Sequence, residues 1–355
     1  MAFWLRLRKP HDGRYNLSRL SNAAGVEALM LDLERIKRIR LYRRPPGQFV
    51  LANAVLAFDY RIPHPTRIIL EGAENVPKDR GIFFAMNHTD RYNYWPFQYQ
   101  LYRQGLGFTA TWVKGKYFEN RWLARFMEWT SNIPLPSRGY IIASRFRLAT
   151  GRPPDESEYR LLRDLVDSRR SIDEPLPDSA SAAVRELLGR DPAAFLTDFD
   201  QLFDAMIREV IRLNRKAIID LHLNVLVFPQ GTRSKRLLPG HTGMMQVAQH
   251  LGAAIVPVGC NGSDRAYPGN SPLSKGGRLV YRIGKPLELD GPELAQWRVP
   301  ASAQPLSHAA SREHGAAYKA ATAVVMAAIN ELLDDEYRFA DDDSGDAVRG
   351  MNRFL

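Results

Sequence analysis

Short apolar segments that end in turn-forming residues recur along most of this chain. Segments of this length are typical of strands buried in a sheet, and they occupy residues 67–72, 81–86, 108–113, 221–228, 253–258 and 278–283. Helical segments lie among them, at residues 95–103, 121–130 and 316–333. The order of short strands and helices predicts an α/β fold, with a central sheet covered by helices.

The residues before the first strand form a basic amphipathic region. From about residue 23 to residue 44, apolar side chains recur at spacings of three and four, and arginines and lysines occupy the other side and the end. Such a helix can dock on anionic lipid, where each cation adds about 1 kcal/mol. It can equally pack on the protein core with its cations near its C-terminal dipole. A second apolar segment, at residues 49–58, is too short to span a bilayer but could extend an interfacial patch.

Residues 140–215 differ from the rest because they are rich in charged residues and strongly helical, with a break at residues 172–181. We interpret them as two or three amphipathic helices inserted into the α/β domain, as a lid over a site or as a structural cap or partner surface. The predicted organisation is a basic amphipathic region at 1–62, an α/β domain at 63–299, a linker and C-terminal helix at 300–340, and a mobile tail at 341–355.

Composition limits the classes of protein that fit. A chain of 355 residues suits one large α/β domain with insertions, or two domains. The formal net charge of +10 favours an anionic partner, such as a membrane surface, nucleic acid or a phosphorylated substrate. The single cysteine, Cys260, excludes an intramolecular disulfide and a cysteine-based zinc site. We expect neither a transmembrane helix nor a signal peptide, because no long apolar run and no cleavage pattern occur.

Asn87 and His88 directly follow the strand expected at residues 81–86. Ligand sites of α/β sheets lie at strand ends, and a histidine there can act as a general base on a hydroxyl because its pKa lies near working pH. Such a base normally needs a carboxylate to fix its tautomer, and the nearest candidates downstream are Asp90 and Asn93. A lone histidine is also often structural, so both roles stay open for this feature alone.

A second candidate site follows the strand at residues 221–228. Residues 229–234 read Pro-Gln-Gly-Thr-Arg-Ser, which predicts a tight turn. The backbone N–H groups of that turn, the Thr232 hydroxyl and the Arg233 guanidinium can face an anion together. The alternative is an ordinary strand-to-loop turn with a solvated arginine.

Four motifs give these two sites a family resemblance. Residues 87–93 resemble the first motif of the glycerolipid acyltransferases, N-H-x-x-x-x-D, a family that includes the 1-acylglycerol-3-phosphate acyltransferases. Residues 228–234 match its F-P-E-G-T-R-S motif at six of seven positions. Residues 112–114 and 133–138 are similar to its second block, which ends in an arginine, and residues 255–258 resemble its fourth. The motifs come in the family's order and cover roughly residues 65–290, less the helical insertion.

The resemblance implies a fold and a reaction. The fold would be a central mixed sheet flanked by helices, and His88 would deprotonate a hydroxyl that attacks the thioester of acyl-CoA or acyl carrier protein. The acceptor would be a lysophospholipid or a glycerol phosphate. The implied catalytic residues are His88 and Asn93, and the implied substrate-binding residues are Lys114, Arg138, Gln230, Gly231, Thr232 and Arg233. Neither a cofactor nor a metal is implied.

The sequence departs from the family pattern at two acidic positions, with Asn93 in place of an aspartate and Gln230 in place of a glutamate. Asparagine can accept from an imidazole N–H, but it stabilises imidazolium less and can select the wrong tautomer; in serine proteases this change costs about 10⁴ in rate. Asp90 could supply the missing carboxylate, or the acceptor could differ. Alternatively, the chain is a weak or inactive homologue that acts as a membrane-associated lipid- or phosphate-binding protein.

The expected surroundings of the chain follow from its charge and from the resemblance. We expect a cytoplasmic protein that is peripheral on the inner face of an anionic membrane, because its substrates would come from a bilayer. Nucleic-acid binding has only the positive charge in its favour and is not expected. The insertion at residues 140–215 would cover the acyl chain, cap the domain or bind a partner.

Overall fold

The structure, a computed structural model, describes residues 31–189 and 191–340. The first part of the helix expected at residues 23–44, and the tail expected to be mobile at residues 341–355, lie outside the described residues.

Seven strands form one mixed sheet in the order β1-β7-β6-β2-β5-β3-β4. Neighbouring strands are parallel except β6 and β7, which are antiparallel. The amino ends of β1 and β7 therefore lie at the edge where the other strands have their carboxyl ends. The strands are β1 (Thr66–Glu71), β2 (Phe83–Met86), β3 (Thr109–Lys114), β4 (Ile133–Leu135), β5 (Asn224–Val227), β6 (Ile255–Asn261) and β7 (Gly277–Ile283). The expected α/β fold with a central mixed sheet is confirmed.

Helices cover both faces of this sheet. They are α1 (Leu33–Arg38), α2 (Pro46–Val50), α3 (Ala57–Asp59), α4 (Tyr94–Arg103), α5 (Arg121–Trp129), α6 (Arg138–Thr150), α7 (Glu156–Val166), α8 (Ala182–Leu188), α9 (Pro192–Arg215), α10 (Gly243–Leu251), α11 (Ser263–Ala266) and α12 (His308–Glu331). A π-helical stretch, Leu51–Leu56, joins α2 to α3, and another, Lys216–Asp220, extends α9. Within the described residues, no helix is both long and apolar enough to cross a membrane.

The sheet separates two hydrophobic clusters because alternate residues of a strand point to opposite faces. In β2, Phe83 and Ala85 belong to one cluster and Phe84 and Met86 to the other, and all four side chains are fully buried. Strands buried on both faces show continuous apolar runs instead of alternation. This is why the central strands were recognisable in the sequence.

The helix α1 is shorter than the periodic pattern predicted. It starts at the Asp32 cap, which accepts from the Arg35 N–H at 2.6 Å, and it ends at Ile39 in extended backbone. Ile36, Ile39 and Leu41 are all buried in the core, so their spacing changes from three to two where the helix stops. Ile36, Ile39 and Leu41 therefore pack on the protein and are not available to lipid.

The helical insertion is present between β4 and β5, but it contains the four helices α6 to α9 instead of two or three. The expected break at residues 172–181 separates α7 from α8. The C-terminal helix α12 also differs, since it begins at His308 and not near residue 316. Ser307 caps it by accepting from the Ala310 N–H at 3.1 Å, so the stretch interpreted as a polar linker at 300–315 is in part helix.

A buried carboxylate connects the helices of the insertion. Glu158 is almost fully buried, and it accepts hydrogen bonds from Arg152 at 2.6 and 2.7 Å, from Ser181 at 2.6 Å and from the Asp155 N–H at 2.9 Å. The Arg152 guanidinium lowers the pKa of Glu158 to about 2. These bonds fix the start of α7 against the start of α8.

We expect Glu158→Gln to lower the free energy of unfolding at pH 7 by roughly 1–3 kcal/mol, since buried donors lose an ionised acceptor. Because the folded pKa lies below the unfolded value of 4.5, the difference should shrink as pH falls from about 4.5 towards 2. Urea denaturation at several pH values measures it. Glu186→Gln, at an exposed position on α8, is the matched control and should change the unfolding free energy little.

Candidate active site

The strands β2 and β5 are neighbours in the middle of the sheet, and they run parallel with Ala85 opposite Val227. The segments that follow them therefore leave the sheet side by side. The His88 ring stacks on the Phe228 ring with centroids 4.0 Å apart and planes 17° from parallel. The Ser234 N–H donates to the His88 carbonyl at 2.9 Å. The two sequence motifs thus meet at one edge of the sheet.

Asn87 anchors the strand end that carries His88. Its side-chain oxygen accepts from the Cys260 N–H at 2.7 Å, and its side-chain amide donates to the Cys260 carbonyl at 2.9 Å. Cys260 lies on β6, the neighbour of β2 on the other side from β5. Asn87 therefore occupies the position of a missing ladder partner and holds the backbone beyond β2 in place.

Asn93 lies next to His88, as the first motif predicts. Its side-chain oxygen is 3.2 Å from Nδ1 of His88, and its side-chain amide donates to the Asn87 carbonyl at 2.8 Å. Asn93 is completely buried, and its own carbonyl accepts from the Tyr281 hydroxyl at 2.7 Å. The residue thus faces the imidazole in the place where the family pattern has an aspartate.

Asp90 does not take the part of the missing carboxylate. Its two oxygens accept from the Tyr92 N–H at 2.8 Å and from the Thr89 hydroxyl at 2.9 Å. Burial raises the pKa of Asp90. The side chain closes the turn between His88 and α4, which is a local structural task.

The surroundings of His88 favour its neutral form. Burial lowers the pKa of His88 to about 3; the bond to Asn93 opposes this shift, and the positive charges of Arg233 and Lys114 add to it. At neutral pH a histidine with this pKa is unprotonated, so it can accept a proton without first losing one. It is therefore available as a base, although a low pKa makes it a weak one.

The turn after β5 begins with Pro229, whose carbonyl accepts from the His241 N–H at 2.8 Å. Gln230 is buried, and its side-chain oxygen accepts from the His88 N–H at 3.3 Å while its amide donates to the Thr232 carbonyl at 2.9 Å. Gly231 has a left-handed φ of 67°. The turn thus hides Gln230 and Thr232 and leaves Arg233 exposed.

Gly231 cannot be replaced without strain. A Cβ atom at this position would lie 2.7 Å from the His241 ring, and a positive φ is unfavourable for any other residue type in a tight turn. We expect Gly231→Ala to lower the free energy of unfolding by roughly 1–3 kcal/mol. Thermal denaturation measures it, with Gly105→Ala as the comparison, since that glycine shares the positive φ but has open space around it. Equal losses in both variants would show that the His241 contact does not matter.

Several cations surround the entrance to the site. Lys114 is the last residue of β3, which neighbours β5, and both Lys114 and Arg233 are close enough to lower the pKa of His88. Burial lowers the pKa of Lys116, and Arg91 and Arg233 lower it further. The acid near Lys116, Glu119, forms an ion pair with Arg147 at 3.0 Å. A surplus of positive charge at this edge favours an anionic ligand.

Arg91 and Lys116 belong to this group, although the sequence did not single them out. The Nε atom of Arg91 is buried and has no hydrogen-bond partner in the described part of the chain. The signal was present, because Arg91 lies inside the first motif and Lys116 lies two residues beyond Lys114. Both residues are basic and closely follow a strand end beside the expected site, and this position alone was a reason to include them among the candidate residues.

Arg138 is engaged elsewhere. Its guanidinium donates to the Val166 carbonyl at 3.1 Å, pairs with Asp200 at 3.3 Å and lies 4.7 Å above the Phe203 ring. These partners belong to α7 and α9 of the insertion. The structure therefore brings His88, Asn93, Lys114 and the turn at residues 229–234 together, and it directs Arg138 to the helices beside them. Its predicted contact with a phosphate stays a prediction.

No group of three or more potential metal-ligating side chains occurs among the residues that the structure describes.

His88 and a group of cations lie at the edge of the sheet where α/β proteins bind their ligands. A family model described as "Acyltransferase" matches residues 203–261, which include β5, the turn after it and β6. A 1-acyl-sn-glycerol-3-phosphate acyltransferase of Cocos nucifera is 33% identical over 84 residues, 23% of this chain and 27% of that protein. The chain thus matches about a quarter of the length of this curated relative.

A crystal structure of the 1-acyl-sn-glycerophosphate (LPA) acyltransferase of Thermotoga maritima is also similar. It has 16% identity and a TM-score of 0.41, covering 84% of this chain and 79% of that one. The part of the chain that the family model matches, residues 203–261, is similar to acyltransferases.

Proposed function

We propose that this protein transfers a fatty acyl group from a thioester, acyl-CoA or acyl carrier protein, to the hydroxyl of a lysophospholipid or glycerol phosphate. The observation that carries the proposal is the contact between the two motifs. His88, hydrogen-bonded to Asn93, stacks on Phe228 at the start of a turn that presents Arg233. A base for a hydroxyl and a grip for a phosphate thus lie side by side, which is what transfer to a phosphorylated alcohol requires.

The chemical steps follow from this arrangement. His88 takes the proton of the acceptor hydroxyl while its oxygen attacks the thioester carbonyl, and a tetrahedral intermediate forms. That intermediate collapses, the carbon–sulfur bond breaks, and the thiolate leaves with the proton that His88 returns. The products are an ester and a free thiol, so no cofactor is needed to balance the reaction.

The charges around His88 support a phosphorylated acceptor. Arg233, Lys114, Lys116 and Arg91 supply four cations, and the replacement of two acidic motif residues by Asn93 and Gln230 leaves them less balanced. Charge-assisted hydrogen bonds to a phosphate are about twice as strong as neutral ones. A phosphate monoester, with its two negative charges, fits this surplus better than a zwitterionic phosphodiester.

The test of the proposal is an acyl-transfer assay with the purified protein. Labelled acyl-CoA and acyl carrier protein are offered with lysophosphatidic acid, glycerol 3-phosphate and lysophosphatidylcholine. We expect transfer to a phosphate monoester and little to lysophosphatidylcholine. If no acceptor is acylated but lysophosphatidic acid still binds, the protein is instead a lipid- or phosphate-binding homologue, the alternative that Asn93 and the low pKa of His88 favour.

We also propose that the protein is cytoplasmic and attaches peripherally to the inner face of a membrane through an apolar rim, formed by Phe58, Ile62 and Leu273. The exposed fractions of these side chains are 62%, 57% and 57%. Phe58 and Ile62 precede β1 and Leu273 precedes β7, so all three lie at the sheet edge of His88. Exposed apolar groups beside a site for lipid substrates suit partial insertion into a bilayer.

Hydrogen bonds hold the two segments of the apolar rim together. The Ser274 N–H donates to the Asp59 carboxylate at 3.1 Å, and the Tyr267 hydroxyl donates to the Tyr60 hydroxyl at 3.0 Å. Phe49, Val50 and Val55 extend the exposed apolar surface along the helical segment that leads to Phe58. These contacts join the segment before β1 to the segment before β7.

Replacing Phe58 and Ile62 together by serine is expected to weaken binding to vesicles by about tenfold or more. Burial of a large apolar side chain contributes roughly 1.5–3 kcal/mol of free energy, and each replacement removes part of that contribution. Flotation with vesicles of phosphatidylcholine and phosphatidylglycerol measures it. Ile219→Ser is the control, since Ile219 is 43% exposed but precedes β5 and lies at the opposite edge. Equal binding by the double variant and the control would refute the role of the apolar rim.

A further inference from the structure

A short segment after α12 crosses the edge of the sheet at which His88 lies. We call residues 332–338 the C-terminal strap; they leave the end of α12 and contact both the end of β6 and the loop after β5. The strap lies outside residues 203–261, which match the family model. Its contacts therefore concern a part of the chain that the motifs do not include.

Asn261, the last residue of β6, fixes the start of the strap. Its side-chain oxygen accepts from the Asp334 N–H at 2.7 Å, and its amide donates to the Leu332 carbonyl at 3.3 Å. Arg282 of β7 donates to the same carbonyl at 3.0 Å and pairs with the Asp334 carboxylate at 2.8 Å. The start of the strap is thus attached to two neighbouring strands.

Tyr337 fixes the other end of the strap. Its side chain is almost completely buried, and its hydroxyl donates to the Asp264 carboxylate at 2.6 Å and accepts from the Gly262 N–H at 3.1 Å. Both partners lie at the start of α11, directly after β6. A phenylalanine at this position would keep the ring in place and lose both hydrogen bonds.

Three consecutive residues after the turn that carries Arg233 contact the strap. Lys235 pairs with Glu336 at 2.9 Å, the Arg236 guanidinium donates to the Asp335 carbonyl at 2.6 Å, and the Leu237 N–H donates to the Tyr337 carbonyl at 2.8 Å. Leu237 is buried, whereas Arg233 is exposed. The strap thus engages the two cations that follow Arg233, and Arg233 itself faces solvent.

The loop of residues 229–241 is therefore held on both sides of Arg233. On one side, the Ser234 N–H donates to the His88 carbonyl at 2.9 Å and joins the loop to the first motif. On the other side, the three strap contacts follow at once. The His241 N–H then closes the loop on the Pro229 carbonyl at 2.8 Å. A loop that is ordered before its ligand arrives loses less conformational freedom on binding.

We propose that the C-terminal strap orders the loop of Arg233 for a phosphate, with Tyr337 as the positioning residue. The strap then determines how tightly the phosphate of the acceptor is bound, and it takes no part in the proton transfer at His88. The link to the acceptor rests on the proposed acyl transfer. The order that the strap gives to the loop does not.

Hydrogen exchange of the full-length protein tests the order of the loop without reference to activity. In Tyr337→Phe, the amides of residues 234–241 should exchange roughly tenfold faster than in the native protein, and those of β2 should not change. Tyr318→Phe is the control, since Tyr318 is buried on α12 but lies outside the strap. Native exchange of the loop in Tyr337→Phe would overturn the proposal.

Steady-state kinetics test the consequence for the substrate. Tyr337→Phe should raise the KM for lysophosphatidic acid by roughly 3–10-fold and change kcat by less than about twofold, since only the order of the binding loop is lost. Tyr318→Phe should change neither quantity. A fall in kcat with an unchanged KM would contradict the proposal, because the strap would then act on the chemical step.

A second variant removes the same contact from the other partner. Asp264→Ala takes away the acceptor of the Tyr337 hydroxyl, so it should raise KM in the same direction. The double variant of Asp264→Ala with Tyr337→Phe should add little to either single change, because both remove one interaction. Fully additive effects would mean that this hydroxyl contact is not the cause.

The outcomes separate the strap from the proposed function. If the native protein transfers no acyl group, calorimetric binding of glycerol 3-phosphate replaces KM. A Kd raised 3–10-fold in Tyr337→Phe would then support the strap although the proposed function fails. Faster exchange with unchanged KM and Kd would show that the strap only stabilises the loop, and the inference would fail while acyl transfer stands. Absence of both transfer and binding in the native protein would refute both.

Discussion

Replacing His88 by alanine is expected to lower the rate of acyl transfer by about 10²–10⁴-fold, the range that a positioned general base contributes. In the proposed mechanism the imidazole takes the proton of the acceptor hydroxyl. The nearby Asp90 carboxylate accepts from Thr89 and from the Tyr92 N–H instead of facing the same position. The measurement is kcat with acyl-CoA and lysophosphatidic acid. Arg233 and the turn that carries it are unchanged in this variant, so we expect binding of the acceptor to change much less than kcat.

His250→Ala is the matched control, since His250 lies exposed at the end of α10 and should leave kcat unchanged. Circular dichroism of His88→Ala checks that the loss of stacking on Phe228 has not unfolded the edge of the sheet. A variant that keeps native kcat would show that the hydroxyl is deprotonated without His88. The measured activity would then come from a group other than His88.

The pH dependence gives a second view of the same residue. Because the pKa of His88 is lowered from 6.5 to about 3, kcat/KM should show no acidic limb near pH 6.5. The sign for stability also follows. Between these values the unfolded chain binds a proton that the folded chain does not, so the free energy of unfolding falls as pH decreases. His88→Ala should lose this part of the acid sensitivity, which denaturation at pH 7 and pH 4.5 can measure.

The central part of the fold was readable from the sequence because its strands are buried on both faces. The run before Asn87 and the run before Pro229 are continuous apolar segments, and each ends in polar residues that mark the carboxyl edge. Two such strand ends in neighbouring positions explain why the motifs meet. The order of strands was not readable, since nothing in the residues of β7 shows that it runs antiparallel to β6.

That reversal matters for the site. It brings the segments before β1 and β7, with Phe58 and Leu273, to the edge of His88. The amphipathic pattern predicted at residues 23–44 was compatible with lipid contact as well as with packing on the core, and in its described part the structure buries Ile36 and Ile39. An apolar stripe on a helix indicates only that another apolar surface covers it. Whether protein or lipid does so depends on tertiary contacts with α9, which lie far away in sequence.

The contacts among the candidate residues differ in how far the sequence could predict them. His88 and Asn93 belong to one short segment, so their contact follows from local geometry. Arg138 depends on the direction of a long side chain at the start of α6, and its partner Asp200 comes from the insertion. The amide orientation of Asn93 depends on a carbonyl of its own segment and could have been anticipated only from the backbone path. Hence the local pair was predictable, whereas the arginine was not.

Arg233→Ala is expected to raise the KM for a phosphate monoester acceptor by about 10–100-fold while kcat falls less. Arg233 follows a turn whose conformation is set by Gly231 and by the buried Gln230, and its charge is close enough to lower the pKa of His88. Loss of a charge-assisted hydrogen bond of about 1.5–3 kcal/mol accounts for this range. Steady-state kinetics with varied lysophosphatidic acid, at low and at physiological salt, measure it.

Lys285→Ala is the control for charge alone. Lys285 is exposed and follows β7, whose carboxyl end lies at the edge of the sheet opposite to His88, so its removal should leave KM unchanged. Arg91→Ala should act in the same direction as Arg233→Ala, because both cations lie near Lys116. If KM rises equally in Lys285→Ala, then the overall positive charge attracts the acceptor and Arg233 makes no specific contact. If KM changes in neither Arg91→Ala nor Arg233→Ala, the phosphate is bound elsewhere, and Arg138 becomes the next residue to replace.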